Sequence, residues 1–132
     1  MIEINNLTTG FVDEEFLKGV AEKVLKGENR KEIGLSIVFV GQGRMRKLNK
    51  KYRGKNKITD VLSFGDELNE IVVCLREVKK NAKRYNLTFK KELAKVLIHG
   101  ILHLSGYEHE KDKKEADKME KKQEYYLNLF KC

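Results

Sequence analysis

The stretch TFKKELAKVLIHGILHL, Thr88 to Leu104, decides the architecture. Thr88 has the hydroxyl of a helix N-cap, and from Leu93 to Leu104 the residues are apolar on nearly every side of a helical period. A helix apolar all round is a buried one, so the rest of the chain has to cover it. Gly106 breaks it. Outward from this centre, IGLSIVFV (Ile33 to Val40) is a β-branched apolar run bounded by Gly41 and reads as a central strand. Ile2 to Asn5 is a short strand candidate. Asp13 caps a helix predicted to reach Lys26, with Phe16, Leu17, Val20, Ala21, Val24 and Leu25 on one face and Gly27 as its stop. Met45, Leu48 and Tyr52 share a face of a second helix that ends at Gly54. Val61 to Phe64 and Ile71 to Cys74 are short strands, paired through the polar loop Gly65 to Glu70. A basic helix from about Leu75 to Tyr85 follows, and a charged surface helix from Lys111 to Phe130 turns Met119 and Leu127 inward. The interleaving predicts a single α/β (α+β) domain over residues 1–132, a small mixed sheet surrounded by helices with a buried central helix.

Length and composition agree with one core. The chain has 132 residues, 40% of them hydrophobic, which suits one domain and not two. No apolar run approaches the roughly 20 residues that span a bilayer, and no charged-then-apolar leader precedes the first helix pattern. A secreted or membrane protein is disfavoured and a cytoplasmic setting expected. Cys74 and Cys132 lie far apart without CxxC spacing, so neither a disulfide framework nor a thiolate zinc knuckle is written here.

The formal charge is +8, from 28 basic and 20 acidic residues. Its distribution says more than its size. Arg44 to Lys57 holds eight basic residues and Lys79 to Lys91 six, with no acid in either run, so the rest of the chain is net −6. An excess gathered into two blocks is what a polyanion-binding surface requires, and it points to nucleic acid as partner. An anionic membrane is the weaker candidate, because neither run has the bulky apolar face of an interfacial helix.

All three histidines fall within HGILHLSGYEH, His99 to His109. On a helix, His99 and His103 are four apart and stack on one face, where they can grip one metal ion. Gly106 permits a turn that brings His109 back as a third nitrogen. Three imidazoles with a fourth position open make the ligand set of a catalytic zinc, and imidazole also suits Ni²⁺ or Co²⁺. The alternative is a structural ion closed by a fourth protein ligand. The spacing is similar to the HExxHxxGxxH zinc proteases, but Gly100 stands where those enzymes carry their Glu base, which demotes peptide hydrolysis.

The segment HGILHLSGYEH resembles the HGxLHLxGYDH signature of the YbeY family of single-domain bacterial endoribonucleases. LNKKYRGKNKITDVLSF, Leu48 to Phe64, is similar to that family's LNxxYRxKDxPTDVLSFP stretch. The resemblance implies a compact α/β fold and a metal site of His99, His103 and His109. It also matches Arg53 to the family's functionally important arginine. It implies processing of ribosomal RNA, especially the 3′ end of the small-subunit RNA, and ribosome quality control, with the ribosome or its proteins as partners. Glu108 stands for the family's Asp, Ile58 and Gly65 for the prolines around TDVLSF, and Asn69-Glu70 for a Gly-Asp pair.

The expected chemistry is metal-assisted cleavage of single-stranded RNA. Arg53 would clamp the scissile phosphate with its planar fork, Lys55 and Lys57 would track flanking phosphates, and Lys83 and Arg84 would bind RNA from the second block. Both basic blocks are thereby expected on the rim of the metal site. An RNA- or ribosome-binding factor with a structural metal, and a zinc hydrolase of other substrates, are the alternatives.

Overall fold

β2 (Leu35–Val40) lies inside a four-stranded mixed sheet, parallel to β1 (Ile2–Asn6) on one side and to β4 (Glu70–Cys74) on the other. β3 (Val61–Phe64) closes the far edge antiparallel to β4, giving the order β1-β2-β4-β3. The computed structural model describes residues 1–65, 69–107 and 112–130. Strand alternation splits the apolar residues between two faces. Leu35, Ile37 and Phe39 of β2, with Ile71 and Val73 of β4, join the larger core. Val38 and Val40, with Val72 and Cys74, pack in a smaller cluster on the other face.

α2 (Gln42–Arg53) covers that smaller cluster through Met45 and Leu48. Its end is set by Gly54, whose φ of 70° is the left-handed cap that glycine adopts without strain. The larger face is covered by α1 (Glu14–Gly27), α3 (Leu75–Arg84), α4 (Phe89–Leu104) and α5 (Lys113–Leu127). These, with α2, make five helices and four strands among the described residues, one small mixed α/β domain. Asp13 caps α1 by accepting from the Phe16 N–H at 3.2 Å, and Thr88 caps α4 by accepting from the Lys91 N–H at 3.1 Å, as read from sequence.

α4 is the buried central helix. Leu93, Ala94, Val96, Leu97, Ile98, Ile101, Leu102 and Leu104 are all buried. Each fully buried aliphatic side chain of the larger kind contributes about 1.5–3 kcal/mol, so this helix is held by many contacts that involve no histidine. Gly100 explains the departure from the protease pattern. A Cβ there would meet the Ile71 side chain at 3.1 Å and Ser63 Oγ at 3.2 Å. The position faces the sheet and is buried, so a glutamate base has no room in it.

Two sequence readings are corrected and one is extended. Gly27 is the last helical residue of α1 and not its stop, and its value lies in packing. The ring of Tyr126 sits where a Gly27 side chain would be, with Tyr126 Cε1 2.7 Å from the ideal Cβ position. Second, Tyr126 joins Met119 as a buried residue of α5, while Leu127 packs partly buried against the same core, inward as read from sequence. The Tyr126 hydroxyl donates to Glu28, whose carboxylate also faces Lys122 Nζ at 3.6 Å, and this ties α5 to the end of α1. Burial and the neighbouring Glu28 carboxylate push the Tyr126 pKa well above the ordinary phenol value. Third, Tyr52 is exposed, with its ring edge against Phe64 at 5.2 Å. Gly27→Ala is expected to lose about 1–3 kcal/mol of stability in denaturant unfolding through overpacking against Tyr126. An unchanged midpoint would show that α5 is not anchored there.

Candidate metal and nucleic-acid site

One stripe of α4 escapes burial by its neighbours. Lys95, His99 and His103 are half-buried and line an open cleft of about 1280 Å³. The histidines are therefore not sealed in the core, as spacing in an apolar helix suggests, but stand at the wall of a solvent-accessible groove. His99 Nε2 and His103 Nε2 lie 3.1 Å apart, with their rings edge to face at 4.7 Å. On its other side His99 Nδ1 donates to Gln123 Oε1 of α5 at 2.7 Å. That bond places the proton on Nδ1 and leaves Nε2 with a lone pair.

Two nitrogens bound to one tetrahedral ion at about 2.0–2.1 Å stand roughly 3.3 Å apart, so a 3.1 Å separation fits a shared cation. The Nδ1–H to Gln123 contact is of the kind that would fix the ring and tautomer of His99 if it held a metal. Among the described residues no third His, Cys, Asp or Glu joins the pair as a ligand group, and His109 lies outside the described residues. Cys74 is buried at the end of β4, away from this stripe, and burial pushes its thiol pKa up.

Arg53, the last residue of α2, lines the same cleft. Its Nη2 donates to the Ser63 carbonyl at 2.7 Å, and its guanidinium lies over the Phe64 ring at 5.4 Å. Ser63 Oγ in turn donates to the Gly100 carbonyl at 3.1 Å, one residue from His99. The edge strand β3 thus ties the arginine to the helix that carries the histidines. One of five guanidinium donors is used this way, which holds the fork in place while the group itself stays exposed.

Lys55 and Lys57 also line the cleft. The buried Asn49 positions their loop by donating its Nδ2–H to the Lys57 carbonyl at 2.9 Å. Lys83 and Arg84 are exposed on α3 but do not line the cleft. Of the second block, Lys79 lies over Phe89 at 5.7 Å and Lys90 over Phe16 at 4.4 Å. The expectation that both blocks rim the site is corrected accordingly. The helical period of α3 buries Leu75, Val78 and Ala82 and turns its basic face elsewhere.

Two cleft residues had no motif to announce them. Gln123 is one, and its signal was its place four residues after Met119 and three before Tyr126, on the inward stripe of a charged helix. Glu92 is the other, only 2% exposed and seven residues before His99 on the same stripe. Gln123→Ala is expected to weaken Zn²⁺ binding about 10–100-fold in competition with a chromophoric chelator, because His99 loses its orienting partner. Unchanged affinity would remove Gln123 from the site.

Burial raises the Glu92 pKa above the ordinary 4.5, against a smaller lowering by Lys95. The native state then holds this proton more tightly than the unfolded chain does. Between 4.5 and the raised value the folded protein binds more protons, so stability from this group falls as pH rises through that window. Glu92→Gln is expected to remove the effect. Its stability relative to wild type should grow from below pH 4.5 and level off above the folded pKa. A pH-independent difference would contradict the assigned burial.

The fold and site define a small mixed α/β domain that presents a histidine pair and an anchored arginine to one open cleft. The family model described as endoribonuclease YbeY matches residues 3–131. The chain belongs to the YbeY family. It is 41% identical over 123 residues to the endoribonuclease YbeY of Thermosipho melanesiensis, covering 90% of this chain and 88% of that one. It is 46% identical over 106 residues to the protein of that name from Thermodesulfovibrio yellowstonii, covering 74% and 67%. The solution structure of a Thermotoga maritima protein superposes with a TM-score of 0.71 at 37% identity, over 97% of this chain and 87% of that one.

Proposed function

We propose that this protein is a metal-dependent endoribonuclease that cuts single-stranded RNA in this cleft. Its substrate is ribosomal RNA, processed at the 3′ end of the small-subunit RNA and in ribosome quality control, in the cytoplasm and with the ribosome or its proteins as partners. The observation that carries the reading is the His99–His103 nitrogen pair at 3.1 Å, opening on the cleft that Arg53 also lines. His99 and His103, with His109 as third ligand, would hold one Zn²⁺, for which Ni²⁺ or Co²⁺ can substitute. When bound, such an ion supplies Lewis-acid polarisation of a phosphoryl oxygen and acidifies water at the site.

The chain's own groups do the rest. Arg53 clamps the scissile phosphate, its fork already oriented by the Ser63 carbonyl, and stabilises charge that builds on the phosphoryl oxygens. Lys55 and Lys57 hold the flanking phosphates from the same wall. Gln123 keeps the His99 proton on Nδ1, which would leave the Nε2 lone pair available to the ion. A binding factor with a sealed structural metal fits less well, because His99 and His103 are half-exposed at a groove. The test is cleavage of a labelled single-stranded ribosomal RNA fragment by Zn²⁺-loaded protein, with the product ends mapped. A 2′,3′-cyclic phosphate identifies the 2′-OH as nucleophile, and a 5′-phosphate beside a free 3′-OH identifies water. RNA binding without cleavage under any metal would favour the binding factor.

A further inference from the structure

The cleft is also lined by a cluster of residues that the cleavage chemistry does not use. These are Glu92, Lys95, Tyr85, Asn81 and Asp60. Glu92 is 98% buried by its 2% exposure, yet its Oε1 has no hydrogen-bond partner among the described residues. Lys95 Nζ stands 3.7 Å from that oxygen, an ion-pair contact beyond hydrogen-bond reach. The same ammonium lies 5.0 Å over the ring of Tyr85, which is 52% exposed. Asn81 Nδ2 reaches Asp60 Oδ2 at a long 3.4 Å. A buried acceptor without a donor destabilises the fold, so a carboxylate kept in this state at the wall of a binding cleft marks a ligand position.

We propose that this cluster is a base-reading subsite that selects guanine at a nucleotide neighbouring the cut phosphate. The inference rests on reading the cleft as an RNA site. Glu92 lies seven residues from His99, about 10 Å along the helix axis, within the span of adjacent nucleotides in an extended strand. Single-stranded RNA is read by splaying out a base, stacking it on an aromatic ring and hydrogen-bonding its Watson–Crick edge. Tyr85 offers the ring. Among the four RNA bases, guanine alone presents two adjacent donors on that edge, N1–H and the 2-amino group, beside the O6 acceptor. A carboxylate with a neighbouring ammonium is the complement of that pattern: Glu92 accepts the two donors and Lys95 donates to O6. Adenine and cytosine each place an acceptor where guanine has N1–H, and uracil has one donor only.

The test compares guanosine, inosine and adenosine monophosphates binding to the Zn²⁺-loaded full chain by calorimetry, together with cleavage of single-stranded RNAs that differ at one base. Guanosine monophosphate is expected to bind roughly tenfold or more tighter than the adenosine form. Inosine monophosphate, which lacks only the 2-amino group, is expected to lose most of that advantage, a readout that needs no variant. Glu92→Gln is expected to bring the three affinities together. Equal affinities for all three in the wild type, or an adenosine preference, overturn the subsite. The two readings fail separately. Guanine selectivity in binding without any RNA cleavage supports the subsite and counts against the nuclease, whereas cleavage indifferent to base, with equal affinities, does the reverse.

Discussion

His103→Ala is expected to lower RNA cleavage by about a thousandfold or more, some 4 kcal/mol of transition-state stabilisation, while RNA binding stays near the wild-type level. The reason is local. His103 Nε2 faces His99 Nε2 at 3.1 Å, and removal of either leaves one described nitrogen where two converge. The helix itself does not depend on the imidazole, since eight buried apolar residues from Leu93 to Leu104 hold α4 against the sheet and the flanking helices. Loss of cleavage with a cooperative unfolding transition intact is therefore the expected pair of results. The metal-free variant unfolds at a temperature no longer raised by added Zn²⁺, because a ligand that binds only the native state stabilises it by mass action. Retained cleavage in a folded His103→Ala protein would place the chemistry elsewhere.

Arg53→Glu is the second large effect. Reversing the charge puts a carboxylate where the phosphate is to sit, so cleavage is expected to fall by about 10²–10³ and RNA affinity to fall with it. The slope of log affinity against log salt should shrink by about one phosphate contact. Arg53→Lys separates charge from geometry. Lysine keeps the cation but cannot hold the Ser63 carbonyl at 2.7 Å and present a planar fork at once. It is expected to retain most of the binding and lose about tenfold or more in turnover. Equal turnover in the wild type and the Arg53→Lys variant would reduce the arginine to one more cation of the Arg44 to Lys57 run.

Much of this was legible in the chain. The all-round apolar run from Leu93 to Leu104 forced a buried helix, and the i, i+4 histidines on it had to share a stripe. IGLSIVFV gave an interior strand because both of its faces are apolar, and both are covered, by α2 on one side and the larger core on the other. The placement of Arg53 came through resemblance, and the structure supplies its physical basis in the ties through Ser63 to Gly100. What periodicity could not supply is which helix lies next to which. Gln123 meets His99 across 24 residues only because Met119 and Tyr126 dock α5 beside α4. Glu92 reads as one more polar residue near a helix N-terminus until the neighbouring elements close over it. The basic face of α3 was visible as charge, but its direction depended on which residues its core stripe buried. Docking between distant segments, not local propensity, decided each of these.

The most direct test strips the wild-type protein of metal and follows cleavage of single-stranded RNA as Zn²⁺ is added back. Cleavage is expected to be absent at the start, to rise with each increment and to level off at one ion per chain. Full cleavage by the metal-free protein, or none at any loading, would contradict a metal-dependent nuclease built on His99 and His103.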